Sequence, residues 1–186
     1  MIVLGFSGRA RHGKTECTEA IYHHVMDNEH DTRQARVYDV GDMIRRMAIK
    51  EGRLPQVERK DMTREQLQVL IDLGKEMRSI DHNYWVKQII KTIKEEKPDV
   101  AMCPNVRLPQ EAEAFKDIGG FMVRCTRLNK DGSLYISPDR DPNDITETAL
   151  QFWPCDYHIT TVSGVDARLV RMHAVTLFRY LTGEKN

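Results

Sequence analysis

The sequence predicts an α/β fold in which helices cover both faces of a parallel sheet. Two observations support this prediction. Short apolar runs alternate along the 186 residues with longer segments of helical periodicity, and that alternation is typical of a doubly wound parallel sheet. The first apolar run, residues 2–6, is followed at once by a glycine-rich turn and a helical segment. A strand, a glycine-rich turn and a helix in this order are typical of phosphate-binding α/β proteins.

Five strands and seven helices are predicted in chain order. The apolar runs place strands at residues 2–6, 34–40, 98–103, 121–126 and 157–162. Apolar periods of 3.6 residues and helix-capping signals place the helices at residues 16–26, 43–50, 63–79, 81–93, 110–118, 146–153 and 165–181. Asp42 is expected to cap the second helix, and Thr63 with Gln66 forms a capping box for the third. Trp85 lies on an apolar stripe typical of a core.

One long stretch has no apolar period. Residues 127–144 are rich in Asp, Pro, Gly, Asn and Ser, and a structureless stretch of that length inside a compact domain is usually a functional lid or a disordered segment. The chain length fits one domain. We therefore predict a single domain over residues 1–186, with a lid or insertion around residues 127–145.

The glycine-rich turn fits the phosphate-binding motif G-x-x-x-x-G-K-[ST] in every fixed position: Gly8, Gly13, Lys14 and Thr15. The glycines let successive backbone N–H groups turn inward around a polyphosphate. Lys14 can reach the β- and γ-phosphates, and the Thr15 hydroxyl can ligate Mg²⁺. The predicted nucleotide site comprises this loop and the first helical turn: Gly8, Arg11, His12, Gly13, Lys14, Thr15 and Glu16.

Composition narrows the classes of partner. Twenty-eight basic and 28 acidic residues cancel, so the net charge provides no attraction to nucleic acid or to an anionic membrane. The apolar runs are too short to span a bilayer. The four cysteines lack C-x-x-C pairing, which is typical of reduced thiols in a cytoplasmic protein. We expect small-molecule nucleotides as partners, with no membrane and no nucleic acid; a homodimer is left open.

Several segments together resemble a known family. The sequence is similar to the phage-type deoxynucleoside monophosphate kinases, within the P-loop nucleoside monophosphate kinase superfamily, and the V-R-x-P-x-E element is its most selective feature. The matching segments are GFSGRARHGKTE (residues 5–16), LGKEMR before YW (73–85), NVRLPQEAEAF (105–115), GGFMVRCTR (119–127), and TETAL followed by CDYHITTVSG (146–164).

The resemblance implies a three-layer α/β/α fold with strand order 2-3-1-4-5. It also implies an ATP site on the P-loop, a second site for the acceptor and a lid over both. It assigns catalytic roles to Lys14, to Arg107 at the acceptor phosphate, and to Arg127 at the transferred phosphoryl group. The acceptor-binding candidates are Asp39, Arg45, Arg78, Trp85 and Arg107.

Most of these arginines have a simpler interpretation. Arg45 equally fits a solvated helix surface, and Arg78 fits an ion pair with Asp81. Arg124 lies within a predicted strand, where one face of the sheet could place it in solvent. Arg140, in the DRDPND segment, is predicted to be a solvated loop charge. Arginine suits a phosphate site because its planar fork binds two phosphate oxygens and stays charged.

One residue departs from the family pattern. Asn105 stands where the family usually has an aspartate that orients Mg²⁺ or its waters, and Asp39, Asp42 or Glu111 are the candidates to compensate. Two alternatives to a nucleoside monophosphate kinase therefore stay open. One is a kinase of another small phosphorylated metabolite, and the other is a nucleotide-binding protein with little turnover.

Overall fold

The computed structural model describes residues 1–164 and 166–184. The chain folds as two compact units. The sheet unit comprises Met1–Val37 and Lys97–Asn186, and the helical unit comprises Tyr38–Glu96. Each unit has its own elements and its own core. The prediction of a single domain stays a prediction.

All five predicted strands are present and parallel. They are β1 (Ile2–Ser7), β2 (Ala35–Val37), β3 (Val100–Cys103), β4 (Phe121–Leu128) and β5 (Tyr157–Val162). They form one sheet in the order β2-β3-β1-β4-β5, and each neighbouring pair is parallel. The predicted fold class and strand order are therefore confirmed.

Seven helices lie within the described residues: α1 (Lys14–Met26), α2 (Val40–Lys50), α3 (Arg64–Ile80), α4 (Tyr84–Glu96), α5 (Pro109–Asp117), α6 (Ile145–Thr148) and α7 (Ala167–Thr182). The predicted start of the last helix, Val165, lies outside the described part of the chain. Within residues 1–164 and 166–184, none of the helices has the length and apolar character needed to cross a bilayer.

The core of the sheet unit follows from the alternation of side chains along each strand. Leu4 and Phe6 of β1 and Cys125 of β4 are almost completely buried, and they pack with buried residues of α1 and α7, among them Ile21 and Phe178. This packing fixes α1, and with it the turn that precedes it, against the carboxyl ends of β1 and β4.

The helical unit contains α2, α3 and α4 around its own core. One cluster of its buried apolar side chains comprises Ile44, Ala48, Leu54, Leu70, Leu73 and Trp85. The capping box of α3 is confirmed: Gln66 N–H donates to Thr63 Oγ1 at 3.3 Å, and Thr63 N–H donates to Gln66 Oε1 at 2.9 Å.

The predicted cap of α2 is wrong. Asp39, not Asp42, caps this helix, because Asp39 Oδ1 accepts hydrogen bonds from the N–H groups of Gly41 (2.7 Å) and Asp42 (3.3 Å). The helix therefore begins at Val40, and β2 ends at Val37 rather than at the predicted residue 40.

The predicted helix at residues 146–153 is also too long, since α6 ends at Thr148. After it, the backbone forms i→i−3 turns: the N–H of Gln151 donates to the Thr148 carbonyl at 2.8 Å, and the N–H of Trp153 donates to the Leu150 carbonyl at 3.2 Å. The guanidinium of Arg124 also donates to the Leu150 carbonyl, at 2.5 Å.

Candidate active site

The glycine-rich turn has the backbone geometry that its sequence predicts. Gly8, Arg11 and Gly13 have φ values of 130°, 62° and 85°, and residues other than glycine seldom adopt such values. Gly8 is also required for steric reasons, because a Cβ there would collide with the carbonyl oxygen of Cys125. Gly13 is the N-cap of α1, so the positive end of the helix dipole points at the turn.

Lys14 folds back onto this loop. Its side chain is buried, and Nζ donates to the carbonyl oxygens of Gly8 (2.8 Å) and Arg9 (2.7 Å). Burial, followed by the nearby charge of Arg107, lowers the pKa of Lys14 to about 8. The ammonium group is therefore mostly charged at neutral pH, and an incoming phosphate would compete with the two carbonyls for it.

The loop borders a cavity of about 580 Å³, which we call the P-loop cavity. Its lining residues come from the loop, from the turn after β3 and from the predicted lid: residues 10–16, Asn105, Arg107, Ser137, Asp139 and Arg140. The volume is within the usual range for small-ligand sites. The cavity thus gathers four cationic side chains, Arg11, Lys14, Arg107 and Arg140, of which Arg11 is paired with Asp139. Arg140 is exposed, as predicted for a loop charge, but the sequence did not predict that it borders this site.

Arg107 is held both by its backbone and by its side chain. The N–H groups of Arg107 and Leu108 donate to Oε2 of Glu111, at 2.8 and 3.1 Å. The guanidinium Nη1 donates to Oε1 of Glu147 at 2.9 Å. The glutamate of the V-R-x-P-x-E element therefore fixes the turn that carries Arg107. Glu111 was one of the residues left open as compensation for Asn105 at the metal; in this structure its carboxylate binds these two amides.

Glu147 is a site residue that the sequence did not predict. Its side chain is only 3% exposed, and its Oε2 accepts the backbone N–H of Ala10 at 2.7 Å. Burial acts to raise the pKa of Glu147, but the hydrogen bonds from Ala10 and Arg107 outweigh it and keep that pKa below its ordinary value. The carboxylate is therefore ionised. The TETAL segment contained this residue, but nothing in its spacing indicated a contact with the P-loop.

The predicted lid is more ordered than its sequence suggested. β4 continues to Leu128, which forms an antiparallel bridge with Leu134, and Tyr135 N–H donates to the Arg127 carbonyl at 2.9 Å. The expectation of a structureless stretch over residues 127–144 is therefore wrong for its first part, which is a hairpin. The turn residue Gly132 has a φ of 84°.

His12 connects the P-loop to this hairpin. It is buried, and burial lowers its pKa, so the ring is neutral at pH 7. A neutral ring carries one N–H. With that proton on Nε2, the ring donates to the Tyr135 carbonyl at 2.9 Å, and Nδ1 accepts the Arg127 N–H at 3.3 Å. Nδ1 also lies 3.3 Å from the Cys125 carbonyl, to which it does not donate in this tautomer.

Two further contacts tie the loop to the same segment. Arg9 Nη1 donates to the carbonyl of Pro142 at 3.0 Å, and Arg11 forms an ion pair with Asp139. Residues 135–142 thus contact three side chains of the P-loop: Arg9, Arg11 and His12. A role as a moving lid stays a prediction.

Arg127 has a different environment from the one predicted. Its Nε donates to Ser163 Oγ at 3.0 Å, and its guanidinium carbon lies 4.4 Å from the centre of the Tyr135 ring. It lines a smaller cavity of about 200 Å³, here called the β5 cavity, and not the P-loop cavity. Contact with a transferred phosphoryl group would require this side chain to move.

Arg124, which a strand position could place in solvent, is half-buried and bound to the chain. Its guanidinium donates to three carbonyl oxygens of the segment after α6: Leu150 and Trp153, each at 2.5 Å, and Gln151 at 2.8 Å. Arg124, Arg107 and Glu147 line a third cavity of about 330 Å³, the α6 cavity. Arg107 therefore borders both this cavity and the P-loop cavity.

The remaining loop candidates lie at the P-loop cavity. Thr15 is exposed there, as a metal-binding hydroxyl needs to be, and Glu16 also pairs with Arg171 at 2.7 Å. The described residues contain no cluster of three or more His, Cys, Asp or Glu side chains that could hold a metal ion. Oxygen donors for Mg²⁺ would therefore come from Thr15 and from bound phosphates, which is the usual mode for this ion.

The acceptor candidates of the helical unit have partners inside that unit. Asp39 is the cap of α2, as described above. Arg45 Nη1 donates to the Val57 carbonyl at 3.1 Å, and its Nε lies 3.8 Å from Asp42 Oδ1. Neither residue is shown to take part in a binding site.

Arg78 and Trp85 both donate to the carbonyl of Gly74, at 3.4 and 3.2 Å. The ion pair proposed between Arg78 and Asp81 is not formed, since Asp81 Oδ2 pairs with Lys87 at 2.6 Å. Trp85 is 2% exposed. It occupies the core, as its apolar stripe predicted, and stacking on a base would require it to leave that core.

No protein-family model matches the sequence, and no curated protein sequence matches it. Solved structures do match. The APS kinase of Mycobacterium tuberculosis, in complex with AMPPNP and APS, is 15% identical, with a TM-score of 0.50 and coverage of 97% of both chains. The shikimate kinase of Aquifex aeolicus is 13% identical, with a TM-score of 0.51 and coverage of 98% of this chain and 99% of that chain. At these identities, the likeness shows that this chain shares the fold of the two kinases.

Proposed function

We propose that this protein transfers the γ-phosphoryl group of ATP to the phosphate of a nucleoside or deoxynucleoside monophosphate. The observation that carries the proposal is the P-loop cavity, where Lys14, Arg107 and Arg140 surround a turn built to bind phosphate. Two anionic reactants repel each other, so their transfer site needs positive charge from several directions. The choice of a nucleotide as acceptor comes from the sequence resemblance.

In the proposed reaction, an oxygen of the acceptor phosphate forms a bond to the γ-phosphorus. The bond between that phosphorus and the β,γ-bridging oxygen breaks, and ADP leaves. Lys14 would exchange the carbonyls of Gly8 and Arg9 for phosphate oxygens, and Arg107 would bind the acceptor phosphate. The acceptor oxygen is already nucleophilic, so no general base is required.

Bound Mg²⁺ would neutralise charge on the phosphates, and Thr15 is the residue placed to hold it. Ser137 also fits a bound nucleotide. Its hydroxyl oxygen is buried at the P-loop cavity and has no hydrogen-bond partner among the described residues. A buried hydroxyl without a partner is costly, and a phosphate oxygen would satisfy it.

The β5 cavity is the proposed site of the ATP base. It adjoins the P-loop through Arg11, His12 and Gly13. Arg127 borders it and offers a planar cation on which an aromatic base can stack. This assignment gives Arg127 a binding role in place of the catalytic role predicted from the resemblance.

A panel of ribo- and deoxyribonucleoside monophosphates, assayed for ADP release with ATP and Mg²⁺, tests the proposal. At least one acceptor should give stoichiometric ADP and diphosphate. Arg107→Ala should raise the acceptor KM by on the order of 100-fold, as expected for loss of a charged phosphate contact. The control Arg36→Ala removes an exposed arginine of β2 and should leave the KM unchanged. ADP release that is equal with and without every acceptor would refute the proposal.

Asn105 favours a second candidate function. It lines the P-loop cavity at the position where the similar family has an aspartate, and a neutral amide binds Mg²⁺ less strongly than a carboxylate. A nucleotide-binding protein with little turnover would then bind ATP in calorimetry and yield no product. Product formation by the wild-type protein separates the two functions, and Asn105→Asp tests the reason: if the neutral amide limits turnover, the restored carboxylate should increase it.

A further inference from the structure

We infer that Glu147 is a positioning residue, which fixes the guanidinium of Arg107 against the P-loop so that an acceptor phosphate is held in line with the donor. The inference rests on the proposed function, because it assigns a task to the arginine that this function places at the acceptor. It concerns a residue to which neither the motif nor the comparisons give a role.

One carboxylate contacts both halves of the site. Oε2 of Glu147 accepts the N–H of Ala10, a P-loop residue, at 2.7 Å. Its Oε1 accepts Nη1 of Arg107 at 2.9 Å. The loop that binds the donor and the arginine that binds the acceptor are therefore joined through the two oxygens of a single rigid group. The distance between them is set by the width of a carboxylate.

The direction of the contact leaves Arg107 able to bind an anion. Glu147 lines the α6 cavity but not the P-loop cavity, whereas Arg107 lines both. The Arg107 side chain donates two hydrogen bonds to described residues, one to Glu147 and one to the Thr146 carbonyl. Both come from Nη1. A guanidinium has five N–H donors, so those on Nε and Nη2 remain for a phosphate.

The two ends of Arg107 are fixed by two different glutamates. Glu111 binds the backbone N–H of Arg107 and so holds the turn. Glu147 holds the end of the side chain. An arginine loses much rotational freedom when it binds a ligand, and an arginine already held by a partner loses less. Pre-organisation of this kind acts most strongly on the transfer step, which needs both phosphates in one geometry.

A negative charge beside an anion site needs a reason, since it opposes the binding of phosphate. The Glu147 carboxylate is nearly fully buried and ionised, and its charge is matched by Arg107 and the Ala10 amide. A carboxylate that served only to stabilise the fold would not need to contact the P-loop and the acceptor arginine together. The Glu147 side chain therefore sets the distance between the P-loop and Arg107.

The test uses Glu147→Gln, which keeps the shape of the side chain and removes its charge. The first measurement needs no turnover: inorganic phosphate is titrated into protein saturated with Mg²⁺ and AMPPNP. AMPPNP fills the donor site, so the phosphate that binds reports on the acceptor site at Arg107. We expect Glu147→Gln to weaken phosphate binding by about tenfold, a typical coupling between adjacent groups. The affinity for AMPPNP should change by less than about threefold. The matched control is Glu113→Gln, an exposed glutamate of α5, which should change neither.

A double-mutant cycle with Arg107→Lys separates positioning from a general structural role. If Glu147 acts through Arg107, the variant with both changes binds phosphate no more weakly than Arg107→Lys alone, and kcat follows the same pattern. Additive losses, or phosphate binding by Glu147→Gln within about twofold of the wild type, would overturn the inference, as would wild-type protein that binds no phosphate beside AMPPNP. Absence of transfer with every acceptor, combined with Glu147-dependent phosphate binding, would refute the kinase and leave Glu147 as the residue that positions Arg107 for an anion.

Discussion

The candidate site has two halves, which are built in opposite ways. The P-loop half contains Lys14, and the acceptor half contains Arg107 and Glu147. In the P-loop half, the key contacts join near neighbours in the chain: Lys14 bonds to the carbonyls of Gly8 and Arg9, six and five residues before it. In the acceptor half, Glu147 bonds to Arg107 across 40 residues and to Ala10 across 137. A local backbone structure can be identified from a short motif, whereas a site assembled by the fold becomes visible only when the fold is known.

The largest expected effect concerns the local half. Lys14→Ala should lower kcat by on the order of 10³-fold, because it removes a positive charge that would otherwise stabilise the transferred phosphoryl group. Its melting temperature should stay close to that of the wild type. The control Lys94→Ala removes an exposed lysine of α4 and should keep full activity. Turnover of Lys14→Ala within about tenfold of the wild type would show that the P-loop half does not act on phosphate.

The next effect concerns the contact between the P-loop and β4. Gly8→Ala should destabilise the fold by about 2–4 kcal/mol, since it adds backbone strain and drives a Cβ into the Cys125 carbonyl oxygen. Gly132→Ala is a matched control: its φ of 84° is also positive, but nothing lies within 4 Å of its added Cβ. It should cost about 1 kcal/mol. Denaturant unfolding of the two variants measures the difference, and equal losses would contradict the close approach.

A smaller effect concerns the acceptor half. Arg124→Met should destabilise the protein by about 1–3 kcal/mol, because three carbonyls after α6 lose their shared donor. Arg36→Met on the exposed face of β2 provides the control. Thermal unfolding would compare the two. If both variants melt at the same temperature, Arg124 does not organise the segment that carries Glu147.

The smallest effect is a pH dependence. Since the pKa of Lys14 is lowered to about 8, the side chain loses its charge as pH rises through that value. We expect kcat/KM for ATP to be constant well below pH 8, to be halved near pH 8, and to fall above it by up to about tenfold per pH unit. Bound phosphate favours the charged amine, so kcat at saturating ATP should begin to fall at a higher pH. Identical pH profiles for the two parameters would contradict this assignment.

The fold could be predicted because its signals are local or periodic. Apolar runs indicated the five strands, and the capping box of Thr63 and Gln66 indicated the start of α3. The errors occurred at the ends of elements. Asp39 and Asp42 lie three residues apart and are both suitable caps by residue type, and the structure uses Asp39. After α6, the carbonyls bind the guanidinium of Arg124, which lies far away in the sequence. Propensity within a short window does not decide between two caps or contain a distant donor.

The site could be predicted only in part, for the same reason. The motif indicated Lys14 and Thr15, and the resemblance indicated Arg107. Arg127 lies next to Ser163 and Tyr135, outside the P-loop cavity, and only the pairing of β4 with β5 reveals that. Glu147 and Ser137 had no signal in the sequence, because a buried carboxylate and a buried hydroxyl look like ordinary polar residues until their surroundings are known.

If the protein is the proposed kinase, the neutral ring of His12 has a consequence for product release. One side chain of the phosphate loop accepts the amide of Arg127 and donates to the carbonyl of Tyr135, at the two ends of the hairpin. The hairpin cannot swing outward without breaking a bond to that loop. Release of ADP and movement of the P-loop would therefore be coupled, and the imidazole of His12 would couple them.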